Sequence, residues 1–168
     1  MKKKIAILGS TGSIGKTLIE IIKKNPKKFD LILLTANKNF KELFKQAKSL
    51  KVKNLIINDK KGYEFLKKNK LKSTKVFNDY KILDKIIKKK IDYTMCSITG
   101  LAGLEPTLKM VKKTNVIAIA NKETIICAWN LISSELKKNN TKFIPVDSEH
   151  FSIWSLIKEY NINLIDKI

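Results

Sequence analysis

Three short segments carry residues whose types and spacing suit chemistry. The first, Gly9-Ser10-Thr11-Gly12-Ser13-Ile14-Gly15, follows an apolar run at Ile5–Leu8 and reads G-x-x-G-x-x-G. Glycines in that register permit a tight turn, let backbone approach a pyrophosphate, and let a following helix pack against the strand. A helix amino terminus here would offer free N–H groups to phosphates, with Thr11 and Ser13 adding hydroxyl donors. Lys16 follows Gly15, but its interval from Gly9 does not fit a Walker phosphate loop.

The second segment, Ala120-Asn121-Lys122-Glu123, groups an amide, an ammonium and a carboxylate where an apolar run gives way to a helical pattern. At the carboxyl end of a parallel strand such a group can hold a polar cofactor and an anionic substrate. Taken alone it also fits Asn121 as a helix cap. The nearby glycines Gly100 and Gly103 either let a cofactor come close or form a simple turn. The third segment is Pro145-Val146-Asp147-Ser148-Glu149-His150. In an extended chain Asp147 and Glu149 point to one side. Two convergent carboxylates suit Mg²⁺ or Mn²⁺, with water, substrate oxygens or a further carboxylate completing the shell. The competing reading is a helix start capped by Asp147 or Ser148. His150 is the single histidine and no cysteine stands near it, which argues against zinc.

The cofactor type is read at the end of the second strand. An NAD site would place a carboxylate there for the ribose 2′-hydroxyl. The sequence instead runs Thr35-Ala36-Asn37-Lys38-Asn39, and Asp30 lies at the opposite end of the strand. A cation and no carboxylate predict NADP, although Lys38 is also one surface lysine among many.

These segments must be held by a scaffold. Predicted strands at Lys4–Leu8, Leu31–Ala36, Asn54–Asn58, Lys75–Phe77, Tyr93–Ser97, Val116–Ala120 and Lys142–Val146 alternate with helices. The helices are expected at Gly12–Lys24, Phe40–Leu50, Lys60–Asn69, Tyr80–Lys89, Leu104–Lys113 and Lys122–Lys138. The first is expected to bury Ile14, Leu18, Ile21 and Ile22, and the last Ile125, Trp129, Ile132 and Leu136. Alternation of this kind predicts an α/β fold, a doubly wound and mostly parallel sheet with helices on both faces.

Composition narrows the class. The chain has 168 residues and a net charge of +20, yet all 35 basic residues are lysine. Arginine makes the commonest base-reading contact, and the lysines are scattered over every helix, so nucleic acid is not the expected partner. The charge should instead draw in phosphorylated ligands. No apolar run is long enough to span a bilayer. Cys96 and Cys127 fit reduced thiols in a cytoplasmic setting rather than a disulfide framework.

GSTGSIG at Gly9–Gly15, ANKE at Ala120–Glu123 and PVDSEH at Pro145–His150 resemble, in order and interval, the 1-deoxy-D-xylulose 5-phosphate reductoisomerase family. The resemblance spans the chain. It implies NADPH-dependent, Mg²⁺- or Mn²⁺-dependent rearrangement and reduction of that sugar phosphate to 2-C-methyl-D-erythritol 4-phosphate, an isoprenoid precursor. It assigns NADPH contacts to Thr11, Gly12, Ser13, Ile14, Asn37, Lys38, Asn39, Asn121 and Glu123. Asn37 stands where the family usually has a small residue and would act through its backbone. Lys122, Ser148 and Glu149 match substrate contacts, Lys122 and Glu149 being the expected catalytic residues, and Asp147 and Glu149 match metal ligands. Family members are more than twice as long, and the third metal carboxylate, the phosphate-holding residues and a lid come later in them. The expectation is therefore an NADPH-binding domain over 1–146, the beginning of a catalytic domain over 147–168, and negligible turnover from this chain alone. The full-length enzyme is expected to be a homodimer, and Ile153, Trp154, Leu156 and Ile157 to form an apolar surface that it covers. The alternatives are a non-catalytic NADP-binding module that needs a partner chain, or another Rossmann-type dehydrogenase.

Overall fold

In the computed structural model, residues 1–69, 71 and 73–159 are described. Seven strands form one sheet: β1 (Lys3–Leu8), β2 (Phe29–Ala36), β3 (Asn54–Ile57), β4 (Lys75–Phe77), β5 (Ile91–Cys96), β6 (Thr114–Ile119) and β7 (Lys142–Pro145). Their order is β4-β3-β2-β1-β5-β6-β7, and every neighbouring pair is parallel. The helices are α1 (Ser13–Lys24), α2 (Phe40–Leu50), α3 (Lys60–Lys68), α4 (Leu83–Ile86), α5 (Leu104–Val111), α6 (Lys122–Lys138) and α7 (Ser148–Glu159). This is the doubly wound α/β architecture expected from the alternating pattern.

Burial on both faces explains why the central strands are almost purely apolar. In β1, Ile5 and Ile7 join one core with Ile19 and Ile22 of α1, Leu43 of α2 and Leu66 of α3. Ala6 and Leu8 face the other way, into a second core with Leu83 of α4, Met110 of α5 and Ile125, Ile132 and Leu136 of α6. The sheet reverses its winding between β1 and β5, and that reversal creates the crevice where ligands bind in this class of sheet.

Three expectations about packing need correction. Ile21 is 48% exposed, and α1 instead buries Gly15, Ile19 and Ile22. Those three lie four and three apart, and Gly15 sets which face can approach the sheet most closely. Trp129 is 43% exposed rather than buried. Ala128 leaves helical geometry at φ −139°, ψ 24°, so the helix kinks there and Trp129 lies against Phe143 of β7, ring centroids 5.4 Å apart. The helix expected over Tyr80–Lys89 is a 3₁₀ turn at Tyr80–Ile82 followed by the single turn of α4. Ile87 ends it at φ −120°, and its N–H still reaches the Leu83 carbonyl while three consecutive lysines lead into β5.

On α7, Phe151, Ile153 and Leu156 are exposed, whereas Trp154 and Ile157 are half-buried. The apolar surface expected here is thus present in altered membership. Residues 160–168 lie outside the described residues. No helix among the described residues is long and apolar enough to cross a membrane.

Candidate functional site

The segment after β1 turns sharply because of its glycines. Gly9 has φ +81°, and a Cβ there would lie 2.7 Å from the Ser97 carbonyl oxygen. Gly15 lies so close to the turn that a Cβ would stand 2.4 Å from the Gly9 carbonyl oxygen. Gly12 is different. A Cβ there would meet the Gly9 carbonyl oxygen at an ordinary 3.5 Å, so the fold itself leaves room for a side chain. Gly12 borders two clefts, and a side chain would reduce the space in them.

The larger cleft, of about 460 Å³, runs over the carboxyl ends of β1, β5, β6 and β7. It is lined by Gly12–Ile14, Ser97–Thr99, Ala120–Glu123 and Val146–Glu149. The smaller, of about 230 Å³, lies over β1, β2 and β3, with Thr11, Asn37, Asn58 and Tyr80 among its lining. Both include Gly12, Ser97, Ile98 and Thr99, so they form one band across the winding reversal. A long ligand could lie along it, its middle over the amino terminus of α1, where unpaired N–H groups favour phosphate.

The three segments singled out from sequence therefore converge. Thr11 and Asn37 stand in the smaller cleft; Ser13, Ile14, Asn121, Lys122, Glu123, Asp147, Ser148 and Glu149 stand in the larger. Lys38 and Asn39 line neither; both are exposed just beyond Asn37. Asn39 caps α2 by accepting from the Glu42 N–H at 3.2 Å. Asp30 sits at the far end of β2, 2.5 Å from the Lys53 ammonium, and is not available to a ribose.

Asn121 caps α6, accepting from the Thr124 N–H at 3.1 Å. Its amide nitrogen donates to the carbonyls of Ile98 and Gly100, at 2.6 Å each. With all three groups engaged and the residue 5% exposed, Asn121 acts as a brace for the loop after β5. Gly103 fits the same brace, because a Cβ there would lie 2.8 Å from the Asn121 amide nitrogen.

Asp147 and Glu149 do not share an extended segment. Asp147 caps α7, its Oδ1 accepting from the His150 N–H at 3.0 Å and standing 2.6 Å from the His150 Nδ1. Glu149 falls in the first helical turn. The helix begins here because the cap, rather than the alternation of a strand, satisfies the chain after Pro145. Both carboxylates still reach the larger cleft. The Asp147 side chain is only 8% exposed, and its Oδ2 is buried with no hydrogen-bond partner. Burial pushes the Asp147 carboxyl up, but hydrogen bonds and charge from His150 outweigh it and hold it below the usual range. Glu149 is also held low, first by the Ser148 hydroxyl and also by Lys122, whose ammonium is 3.7 Å away. Both are therefore anionic at neutral pH. Among the described residues no group of three or more His, Cys, Asp or Glu forms a metal cluster, so this chain offers two carboxylates.

Several residues that matter here were not singled out from sequence. Thr35 Oγ1 accepts the Gly9 N–H at 3.0 Å and the Tyr80 hydroxyl at 3.1 Å, and the Thr35 carbonyl accepts the Ser10 N–H at 2.9 Å. Burial pushes the Tyr80 phenol up to about 12, so it stays a donor. Ser97 Oγ donates to the Leu8 carbonyl at 2.9 Å. The one sequence signal was a polar residue, Gln46, on the apolar face of α2 beside Leu43 and Ala47.

The match to known proteins follows this geometry. The family model for 1-deoxy-D-xylulose 5-phosphate reductoisomerase matches residues 5–129. The chain belongs to the 1-deoxy-D-xylulose 5-phosphate reductoisomerase family. A reductoisomerase of Pelagibacter ubique is 54% identical over 99% of this chain, which covers 44% of that protein. A solved reductoisomerase from Zymomonas mobilis in complex with NADPH superposes with a TM-score of 0.81 at 35% identity, over 89% of this chain and 40% of that one. Another, in complex with NADPH, fosmidomycin and magnesium, gives 0.77 at 27% identity, over 88% and 37%. The chain thus spans less than half the length of the reductoisomerases it matches. Family membership also removes the alternative of an unrelated Rossmann-type dehydrogenase.

Proposed function

We propose that this chain is the NADPH-binding part of a metal-dependent reductoisomerase that converts 1-deoxy-D-xylulose 5-phosphate to 2-C-methyl-D-erythritol 4-phosphate. The observation that carries the reading is the continuous band from Asn37 to Glu149, which joins a phosphate-binding turn to a lysine and two carboxylates. On this reading residues 1–146 form the cofactor domain and 147 begins the catalytic one. The full-length enzyme would be a homodimer working in the cytoplasm on a small sugar phosphate.

The residues fit the two groups the reaction needs. Asp147 Oδ2 is a buried anionic oxygen without a partner, which suits a hard cation such as Mg²⁺ or Mn²⁺, and Glu149 supplies a second oxygen donor. Thr11, Gly12, Ser13 and Ile14 would hold the NADPH pyrophosphate, Asn37, Lys38 and Asn39 its 2′-phosphate end, and Glu123 its nicotinamide end, with Asn121 contributing through its backbone because its side chain is engaged. When bound, the metal supplies Lewis-acid polarisation and NADPH the hydride.

The chain's own residues then orient the substrate. The Lys122 ammonium and the Ser148 hydroxyl stand beside Glu149 and can hydrogen-bond substrate oxygens. Held anionic, Glu149 can accept from a substrate hydroxyl. Lys122 balances that carboxylate and keeps a donor aimed along the cleft. The cleft is open, so water exclusion and the remaining ligands must come from elsewhere in the enzyme, and this chain alone should turn over negligibly.

A chimera tests the reading. Replacing the corresponding amino-terminal part of the Pelagibacter ubique reductoisomerase with this chain should give NADPH oxidation that requires both the sugar phosphate and Mg²⁺. Lys122→Ala in the same chimera should lower turnover about a hundredfold, the value of a charged hydrogen bond that strengthens in the transition state. A folded chimera with no turnover would refute the assignment.

A further inference from the structure

Gln46 is 2% exposed on the sheet-facing side of α2, where helical periodicity calls for an apolar residue. A buried amide is costly unless its hydrogen bonds are made. Here they lead to the phosphate loop. Gln46 Oε1 accepts from Ser10 Oγ at 2.7 Å, and Gln46 Nε2 donates to the Ser10 carbonyl at 2.9 Å. Nε2 also lies 3.3 Å from Glu42 Oε1. The Glu42 N–H is in turn bound by the side chain of Asn39, the cap of α2.

The consequences run both ways along α2. Ser10 is completely buried, with its N–H on the Thr35 carbonyl and its hydroxyl and carbonyl on Gln46. Pinned in this way, it fixes the direction in which Thr11–Ile14 present their donors. Asn37, Lys38 and Asn39 lead into the amino terminus of α2, with Asn39 as its cap. Beside the Gly9 and Ser10 bonds to Thr35, this amide therefore ties the turn that faces the pyrophosphate to the helix that follows Lys38, the cation that would read the 2′-phosphate.

We infer that Gln46 is a positioning residue that locks the phosphate loop to α2 and thereby sets the preference for NADPH over NADH. This rests on the proposed NADPH site. Without the lock the loop keeps its glycines and the helix amino terminus, so the pyrophosphate is still bound. What is lost is the alignment of Lys38 with a phosphate held at a fixed distance.

The test is fluorescence titration of the 168-residue chain with NADPH and with NADH, beside circular dichroism. Gln46→Met keeps the side-chain volume and removes both Ser10 bonds. It is expected to lower the ratio of NADPH to NADH affinity about tenfold, with most of the loss falling on NADPH. Ser10→Ala removes the hydroxyl that donates to Gln46 at 2.7 Å and lies 3.3 Å from the Thr35 carbonyl, leaves the second Gln46 bond in place, and should lower the ratio about threefold in a chain that keeps its fold, so it decides the matter if Gln46→Met does not fold. A folded Gln46→Met chain with the parent's ratio overturns the inference. So does an equal loss for both cofactors, which would mark a purely structural residue. A parent chain with no preference at all would overturn the proposed NADPH site and this inference with it, whereas a parent preference that survives in the variants removes only the inference.

Discussion

The Gly12→Ala chain is expected to fold as the parent does and to bind NADPH at least about tenfold more weakly, whereas Gly15→Ala should destabilise the fold itself. The chemical change is the same; the surroundings decide the outcome. At Gly12 the new methyl meets the Gly9 carbonyl oxygen at 3.5 Å and the Ser97 carbonyl oxygen at 4.0 Å, both ordinary contacts, and the helix cap changes by about 1 kcal/mol at most. The methyl instead enters the space shared by both clefts, and a misfit of that size costs a ligand about 1–3 kcal/mol, tenfold to a hundredfold in affinity. At Gly15 the methyl would lie 2.4 Å from the Gly9 carbonyl oxygen and 2.6 Å from the Ser10 Cα, both of them backbone atoms. Alanine gains up to about 1 kcal/mol in helix propensity, but overpacking against backbone costs about 1–3 kcal/mol or more and should win. Urea denaturation beside NADPH titration separates the two cases. A Gly12→Ala chain that binds like the parent would mean that the cofactor does not pass over this turn.

The second large effect is expected at Asp147. Asparagine caps a helix as well as aspartate does, so Asp147→Asn should preserve α7 while removing the anionic oxygen. Because the Asp147 carboxyl is held below its usual range, the parent site is already charged at neutral pH and the substitution removes a full charge. In the chimera with the Pelagibacter ubique remainder, Mg²⁺-dependent turnover should fall about a thousandfold, the scale of several kcal/mol of Lewis-acid stabilisation. Broadening of water-proton relaxation by Mn²⁺ should weaken in parallel. Unchanged turnover would exclude Asp147 as a ligand, and a matching loss of thermal stability would point to the cap instead.

The fold was readable because its strands are short, apolar and regularly separated by amphipathic stretches, and a doubly wound sheet is the arrangement that buries both faces of them. The convergence of the three candidate segments was readable because each sits just past the end of a strand, where local sequence and the crevice coincide. What escaped was long-range. Ser10, Thr35 and Gln46 are far apart in the chain, and no local pattern says that their polar groups meet. Trp129 was misjudged because periodicity assumes an unbroken helix, and nothing nearby announces the kink at Ala128. Asp147 and Glu149 were given a common side on strand geometry, yet reach the same cleft from a helix cap and a first turn. In that case the two residues meet at one cleft through a geometry that the strand reading did not supply.

The most direct measurement is equilibrium titration of the folded 168-residue chain with NADPH and NADH, repeated for Lys38→Ala. Saturable binding with NADPH favoured at least about tenfold, and that advantage lost in Lys38→Ala, is the predicted result, since one charged hydrogen bond to phosphate is worth that much. A folded chain that binds neither cofactor, or binds both equally, would contradict it.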